Sequence, residues 1–277
     1  MIHHFAVGDL SCAVVSDGQP RPPLEPPLAE FFTPDTGVPE RELRAAAADR
    51  TTLTCGYNCL FVETGAGLAV IDTGLGRDFT GYGPYMTPLV GKLGDGLAEA
   101  GFAASEVAAV VFTHLHEDHT RGAVGAFPDA TAYAHAAEVA FWKDATSLPD
   151  VRRGPALEAI RVFGERLREV EYGAEILPHV HTVDAAGHTP GHTAILLRSR
   201  GERLLCVGDS FYDPLQLAHP AWRTPWDHEA ERSVRSRRRI LAWAADESVP
   251  VHAYHLPFPG LGRIERRGDA FAWRPLA

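Results

Sequence analysis

The sequence predicts a layered α/β fold with mixed sheets, and three observations carry that reading. Short apolar, β-branched runs such as Val107 to Thr113 recur along the chain. Amphipathic segments of helical period separate many of them. Pairs of strand-like runs joined by tight Gly-rich turns are interspersed, so hairpins and crossovers share the same sheets. With 277 residues and 45% hydrophobic side chains, the chain can bury a sizeable core. No internal repeat or low-complexity linker divides it. Residues 1–277 are therefore expected to form a single domain, with a Pro-rich N-terminal arm over about 19–57.

Taken in order, residues 4–17 alternate and end at the turn signal Ser16-Asp17-Gly18, so they read as strands. Residues 19–39 hold many of the prolines and predict an irregular arm, and 40–48 suit a short helix. Residues 59–64 and 68–72 read as two strands joined by a Gly-rich turn. An amphipathic helix over 90–100 is closed by Gly101, and 107–113 is a buried strand. A strand over 130–134 leads into a helix over 135–143, and 155–170 predicts a longer helix. Strands follow near 179–184, 193–198 and 203–208, then a long helix over 228–246. Strands near 249–254, 262–267 and 270–274 complete the chain.

Charge and cysteine content narrow the function. Lys+Arg is 26 against 36 Asp+Glu, a net charge of −10, which argues against a general nucleic-acid binder. The arginines over 232–239 share their helix with Glu229 and Glu231 and read as a solvated, ion-paired face. No apolar run reaches the roughly 18 residues of a membrane span. The first residues lack a basic stretch followed by an apolar one, so no secretory signal is expected. Cys12, Cys55, Cys59 and Cys206 lie in or beside apolar segments and read as reduced, buried thiols of a cytoplasmic protein. A zinc site at Cys55 and Cys59 is disfavoured, because no second Cys/His pair follows at finger spacing.

The informative stretch is Thr113-His114-Leu115-His116-Glu117-Asp118-His119, directly after the buried strand. His114 and His116 are two residues apart, so in extended chain they point the same way. Asp118 and His119 come as the chain turns and can face a second point a few ångströms away. One short loop can thus serve two metals, since imidazole and carboxylate are ligands of zinc and similar ions. Downstream, Gly187-His188-Thr189-Pro190-Gly191-His192-Thr193 forms a tight turn between two strands. Asp209 and His255 each end an apolar strand. Such groups at the ends of several strands build a site.

This constellation, His114-x-His116-x-Asp118-His119 followed by His192, Asp209 and His255, resembles the metallo-β-lactamase fold superfamily in its dinuclear form. The run Ile71-Asp72-Thr73-Gly74 and the His-x-Pro-Gly-His-Thr element over 188–193 fit the same pattern. The segment His255 to Gly262, with the Pro-rich arm, is most similar to the branch holding methyl parathion hydrolase and quorum-quenching lactonases. The resemblance implies a four-layer αβ/βα sandwich of two mixed β-sheets flanked by helices. It implies that His114, His116 and His192 hold a first metal, that Asp118, His119 and His255 hold a second, and that Asp209 bridges them. Zinc is preferred, with manganese, iron or cobalt as alternatives. Asp72 would orient a ligand histidine. His188 would shape the turn before His192. The chain departs from many relatives at Thr120-Arg121-Gly122, where they carry Gly-Gly, and Arg121 reads as a solvated loop residue.

The implied activity is hydrolysis of an ester-like bond in a small molecule, a lactone, aryl ester or phosphotriester, by a bridging hydroxide. Asp118 could relay a proton, and Tyr212 could hydrogen-bond a developing oxyanion. Phe31, Phe32, Trp222 and Trp226 would line a cleft or pin loops, and Phe258 beside His255 is assigned to the cleft. The alternatives are an iron-containing oxidoreductase of the sulfur dioxygenase kind and a thioesterase of the same fold. Neither nucleic acid nor membrane is expected as a partner. The oligomeric state stays open, with a homodimer admitted.

Overall fold

The computed structural model describes residues 1–19, 27–32, 36–77, 79 and 90–276. The proline-rich arm therefore lies partly outside the described residues. Strands β1 (Ile2–Val7), β2 (Leu10–Gly18), β3 (Tyr57–Thr64) and β4 (Gly67–Ile71) pair antiparallel in sequence. Strands β5 (Val107–Val111), β6 (Thr131–His135) and β7 (Leu167–Val170) then add in parallel, completing a seven-stranded sheet in the order β1 to β7. Parallel neighbours require crossovers. These carry α3 (Leu93–Glu99), α4 (Glu117–Thr120), α5 (Ala136–Asp144) and α6 (Asp150–Phe163), while α1 (Leu28–Phe31) and α2 (Glu40–Ala47) belong to the arm.

The second sheet has seven strands in the order β14-β13-β12-β11-β10-β9-β8. They are β8 (Glu175–Leu177), β9 (Val180–Asp184), β10 (Thr193–Ser199), β11 (Glu202–Cys206), β12 (Val251–His252), β13 (Leu261–Arg267) and β14 (Ala270–Pro275). Among the described residues its one parallel pair, β11 and β12, is bridged by α7 (Leu215–Ala218) and α8 (Ala230–Asp246).

Side-chain parity explains the layers. In β10, Ile195 and Leu197 enter the core between the sheets, where they meet Val14, Val62 and Val111 of the first sheet. Their neighbours Ala194 and Leu196 face outward and pack with Ile240, Leu241 and Ala244 of α8. In the first sheet, Val15, Phe61, Val70 and Val110 point the other way, toward Leu97, Val139, Trp142 and Phe163. The result is helix, sheet, sheet, helix, the expected sandwich. Strands covered on both faces must be apolar throughout, as their near-continuous hydrophobic runs show.

Two expectations are corrected. The helix expected over 155–170 spans Asp150–Phe163 and stops at Gly164, which takes a positive φ of 48°. Residues 167–170 pair instead with β6, in register from Ala132↔Leu167 to His135↔Val170, so sheet pairing overrides local helical pattern. Phe258 packs against the core between the sheets rather than lining a cleft. Among the described residues, no helix is long and apolar enough to cross a membrane.

The same edge of both sheets carries the polar residues. The chain after β5 leads to His114–His119, the chain after β4 to Asp72, the turn between β9 and β10 to His188, the end of β11 to Asp209, and the chain after β12 to His255. A backbone bond from Thr193 N–H to the Thr113 carbonyl, 2.8 Å, ties the two sheets together there.

Candidate metal centre

Seven side chains converge in two adjoining groups. His114, His116, His188 and Asp209 form one, and Asp118, His119 and His255 the other, with the ligand atoms of each group within 4.8 Å of one another. Asp209 lies between them. Its Oδ2 is 3.2 Å from His188 Nε2 and 3.6 Å from His114 Nε2. Its Oδ1 is 3.1 Å from both His119 Nε2 and His255 Nε2. Asp118 Oδ2 completes the second group, 3.6 Å from His119 Nε2 and 3.5 Å from His255 Nε2. All of these side chains are buried except those of His116 and Asp118, which are partly exposed.

Outer hydrogen bonds fix how the rings face. His119 Nδ1 donates to Asp72 Oδ2 at 2.8 Å, and His255 Nδ1 donates to the Gly56 carbonyl at 3.0 Å with Cys55 Sγ 3.2 Å away. His188 Nδ1 donates to Asp227 Oδ1 at 3.2 Å. The Thr113 hydroxyl donates to Asp72 Oδ2, so its oxygen accepts from His114 Nδ1 at 3.1 Å. The outer nitrogens of His114, His119, His188 and His255 are thereby spoken for, and their inner nitrogens are left to hold a proton or a cation. Asp72, in the left-handed region at φ 55°, also accepts the Thr113 N–H.

The inner atoms fit a cation. His119 Nε2, His255 Nε2 and Asp209 Oδ1 are buried and make no hydrogen bond. His114 Nε2 and His188 Nε2 both stand 2.9 Å from His116 Nδ1, a crowding of three imidazole nitrogens that neutral rings do not favour without a shared positive charge. Burial, reinforced by neighbouring imidazoles, pushes His114 and His116 well below the ordinary histidine range. Burial opposes protonation of His119 too, yet the carboxylates of Asp209, Asp72 and Asp118 hold it up at about 10. The carboxylates around His119 thus favour positive charge there, and two clusters of nitrogen and carboxylate donors match the ligand chemistry of divalent ions such as zinc.

One expected ligand is replaced. His192 Nδ1 donates to the Ala185 carbonyl at 2.9 Å, and its Nε2 accepts the Asp209 N–H at 3.0 Å. Both nitrogens are taken by backbone, so His192 has none to offer, and His188 supplies the third imidazole of its cluster. The turn sets this choice. A Cβ on Gly187, at φ 134°, would lie 2.0 Å from Ser233 N, and one on Gly191 would lie 2.2 Å from Glu138 N. These close approaches turn the 187–191 loop so that His188 faces inward.

Tyr212 is buried beside the centre, donating to Asp209 Oδ2 at 2.5 Å and stacking on the His255 ring with centroids 4.8 Å apart. Phe31 and Trp226 pack against Tyr212 at 5.8 Å each, while Phe32 and Trp222 are buried together at 5.5 Å. Arg121 pairs with Glu117 at 3.5 Å. Tyr254 donates to the Asp118 carbonyl at 2.6 Å and lies against the His119 ring at 4.2 Å.

Three supporting residues escape sequence reasoning. Glu138 is fully buried, accepting from Leu115 N–H, Trp142 Nε1, Thr189 Oγ1 and Gly191 N–H. A lone carboxylate in the apolar run Ala136 to Trp142 is the signal that marks it. Arg237, read as part of a solvated face, is fully buried and pairs with Asp227, whose side chain has no exposure either. Its spacing from Ser233, Ile240, Leu241 and Ala244 puts it on the buried face of α8, a periodicity visible in the sequence.

Comparison with known proteins agrees with this geometry. Residues 53–260 match the family profile described as the Metallo-beta-lactamase superfamily. The "Probable metallo-hydrolase Mb2322c" of Mycobacterium bovis is 28% identical over 226 residues, which cover 72% of this chain and 70% of that protein. Among solved structures, AidC, a dizinc quorum-quenching lactonase in complex with a product, superposes with a TM-score of 0.88 at 24% identity, covering 100% of this chain and 97% of the other. The hydrolase AbOPH, in the beta lactamase superfamily, superposes at 0.82, also at 24% identity and with coverages of 100% and 97%. By fold, donor set and profile, the chain belongs to the metallo-beta-lactamase superfamily.

Proposed function

We propose that this chain is a dinuclear metal-dependent hydrolase that cleaves an ester-like bond of a small molecule, with lactones the first substrates to try and aryl esters and phosphotriesters next. One observation carries the reading: two groups of inward-facing donors share the two oxygens of Asp209. His114, His116 and His188 would hold one divalent ion, and Asp118, His119 and His255 the other. Bound there, such ions supply Lewis acidity and bring the pKa of a water toward neutrality. The chain's own residues do the rest. Asp118, whose side chain is 23% exposed, is the carboxylate open to solvent and can accept and pass on a proton. The Tyr212 hydroxyl, already 2.5 Å from Asp209, can donate to negative charge developing on a substrate oxygen. AidC, whose fold this chain shares, is a lactonase solved with a product bound, which supports the choice of lactones.

The test combines metal content with turnover. Zinc-reconstituted protein is expected to retain two metals per chain and to hydrolyse at least one of N-acyl homoserine lactones, aryl esters or phosphotriesters. Asp209→Ala is expected to lose metal and abolish turnover. Undiminished turnover in that variant rejects the proposal.

A further inference from the structure

We propose that Asp227 and Arg237 form a positioning pair that fixes the tautomer and direction of the His188 ring, and thereby sets the cation affinity of the His114–His116–His188 cluster. The second half of this inference rests on the metallo-hydrolase reading, and the first does not.

The geometry is directional. Asp227 uses Oδ1 to accept from His188 Nδ1 at 3.2 Å and from the Ser233 hydroxyl at 2.9 Å. Its Oδ2 faces Arg237, 3.6 Å away, and accepts the Thr224 N–H at 3.3 Å. Both charged side chains have no exposure at all. A buried ion pair often contributes no more to stability than apolar groups of the same shape, and what it adds is direction. Here the carboxylate is clamped with one oxygen toward His188, which obliges that ring to carry its proton on Nδ1 and present Nε2 inward. The remaining guanidinium hydrogens reach the Ser233 hydroxyl (3.4 Å) and the carbonyls of Ser210 (2.6 Å), Pro220 (3.1 Å) and Trp222 (2.6 Å). Ser210 follows Asp209, so one residue of α8 braces both the segment bearing Asp209 and the carboxylate behind His188.

The experiment uses the full chain and Asp227→Ala, with Asp227→Asn as the variant that keeps an acceptor oxygen should alanine prevent folding. Two readouts are taken. Two-bond 1H–15N correlation spectra of the metal-free protein report each histidine tautomer. Competitive zinc titration reports the affinity of each site. The wild type should show His188 as the Nδ1–H form. Asp227→Ala should lose that fixed form and weaken one of two zinc sites by about 10- to 100-fold while sparing the other. Asp227→Asn should fall between. An unchanged tautomer in the folded variants, or equal loss at both sites, overturns the inference. If the wild type binds no zinc but the tautomer still follows residue 227, the metal reading fails and the positioning role alone stands.

Discussion

Glu138 Oε1 accepts the backbone N–H of Leu115 at 3.0 Å, reaching from α5 into the loop between two histidines of the centre. Its other oxygen accepts from Thr189 and Gly191, on the turn that carries His188. One carboxylate thus fastens the two segments that supply the histidines of the first cluster. Burial pushes Glu138 up from the usual carboxylate range, while the four donors around it pull the other way. Replacing it with alanine strands those donors. Glu138→Ala is expected to lower unfolding stability by about 3 kcal/mol or more, read by urea denaturation, and to reduce zinc retention. Glu138→Gln, which keeps two lone-pair acceptors on one atom only, is expected to lose less.

The two histidines of the turn should behave differently. His188→Ala is expected to remove one zinc per chain and depress turnover at least 100-fold. His192→Ala should leave the zinc-binding nitrogens in place and act through lost backbone hydrogen bonds, costing roughly 1–3 kcal/mol of stability. Metal analysis beside a melting curve separates the outcomes, and equal zinc loss in both variants contradicts the assignment.

Tyr212→Phe removes a hydroxyl without removing a donor to the metals. It is expected to lower kcat by about 10- to 100-fold with zinc content unchanged. Steady-state kinetics on the best substrate of the panel, with parallel metal analysis, provide the check.

Acid sensitivity should have a component away from the centre. Burial drives His252 down from 6.5 to about 4, and its Nε2 has no hydrogen-bond partner. The folded value lies below the unfolded one, so the unfolded chain binds the proton more readily. His252 therefore leaves stability intact above about pH 6.5 and erodes it as pH falls toward 4, at up to ~1.4 kcal/mol per pH unit. Urea midpoints at several pH values in this window, compared between wild type and His252→Asn, should show a shallower slope in the variant. Identical slopes refute the assignment.

Much of the fold was legible because doubly covered strands must be apolar throughout and the helices between them keep a 3.6-residue period. The loop His114 to His119 was legible because four potential ligands in six positions after a buried strand have few other uses. Other features depend on three-dimensional closure. Which histidine of the 188–192 turn faces inward is decided by how Gly187 and Gly191 press against neighbouring backbone, and residue spacing does not encode that. Strand β7 was masked because its residues suit a helix until β6 offers them a partner. Arg237 was hidden among exposed arginines, although its phase along α8 assigns it to the interior.

The close backbone approaches at Gly187 and Gly191 also bear on how this scaffold could be reshaped. With no room for even one extra carbon, the turn is a fixed mount rather than an adjustable wall. Efforts to broaden or redirect what the enzyme accepts should leave that mount untouched and begin instead at the partly buried Trp226, whose ring meets the buried Phe31 edge to face with centroids 4.4 Å apart.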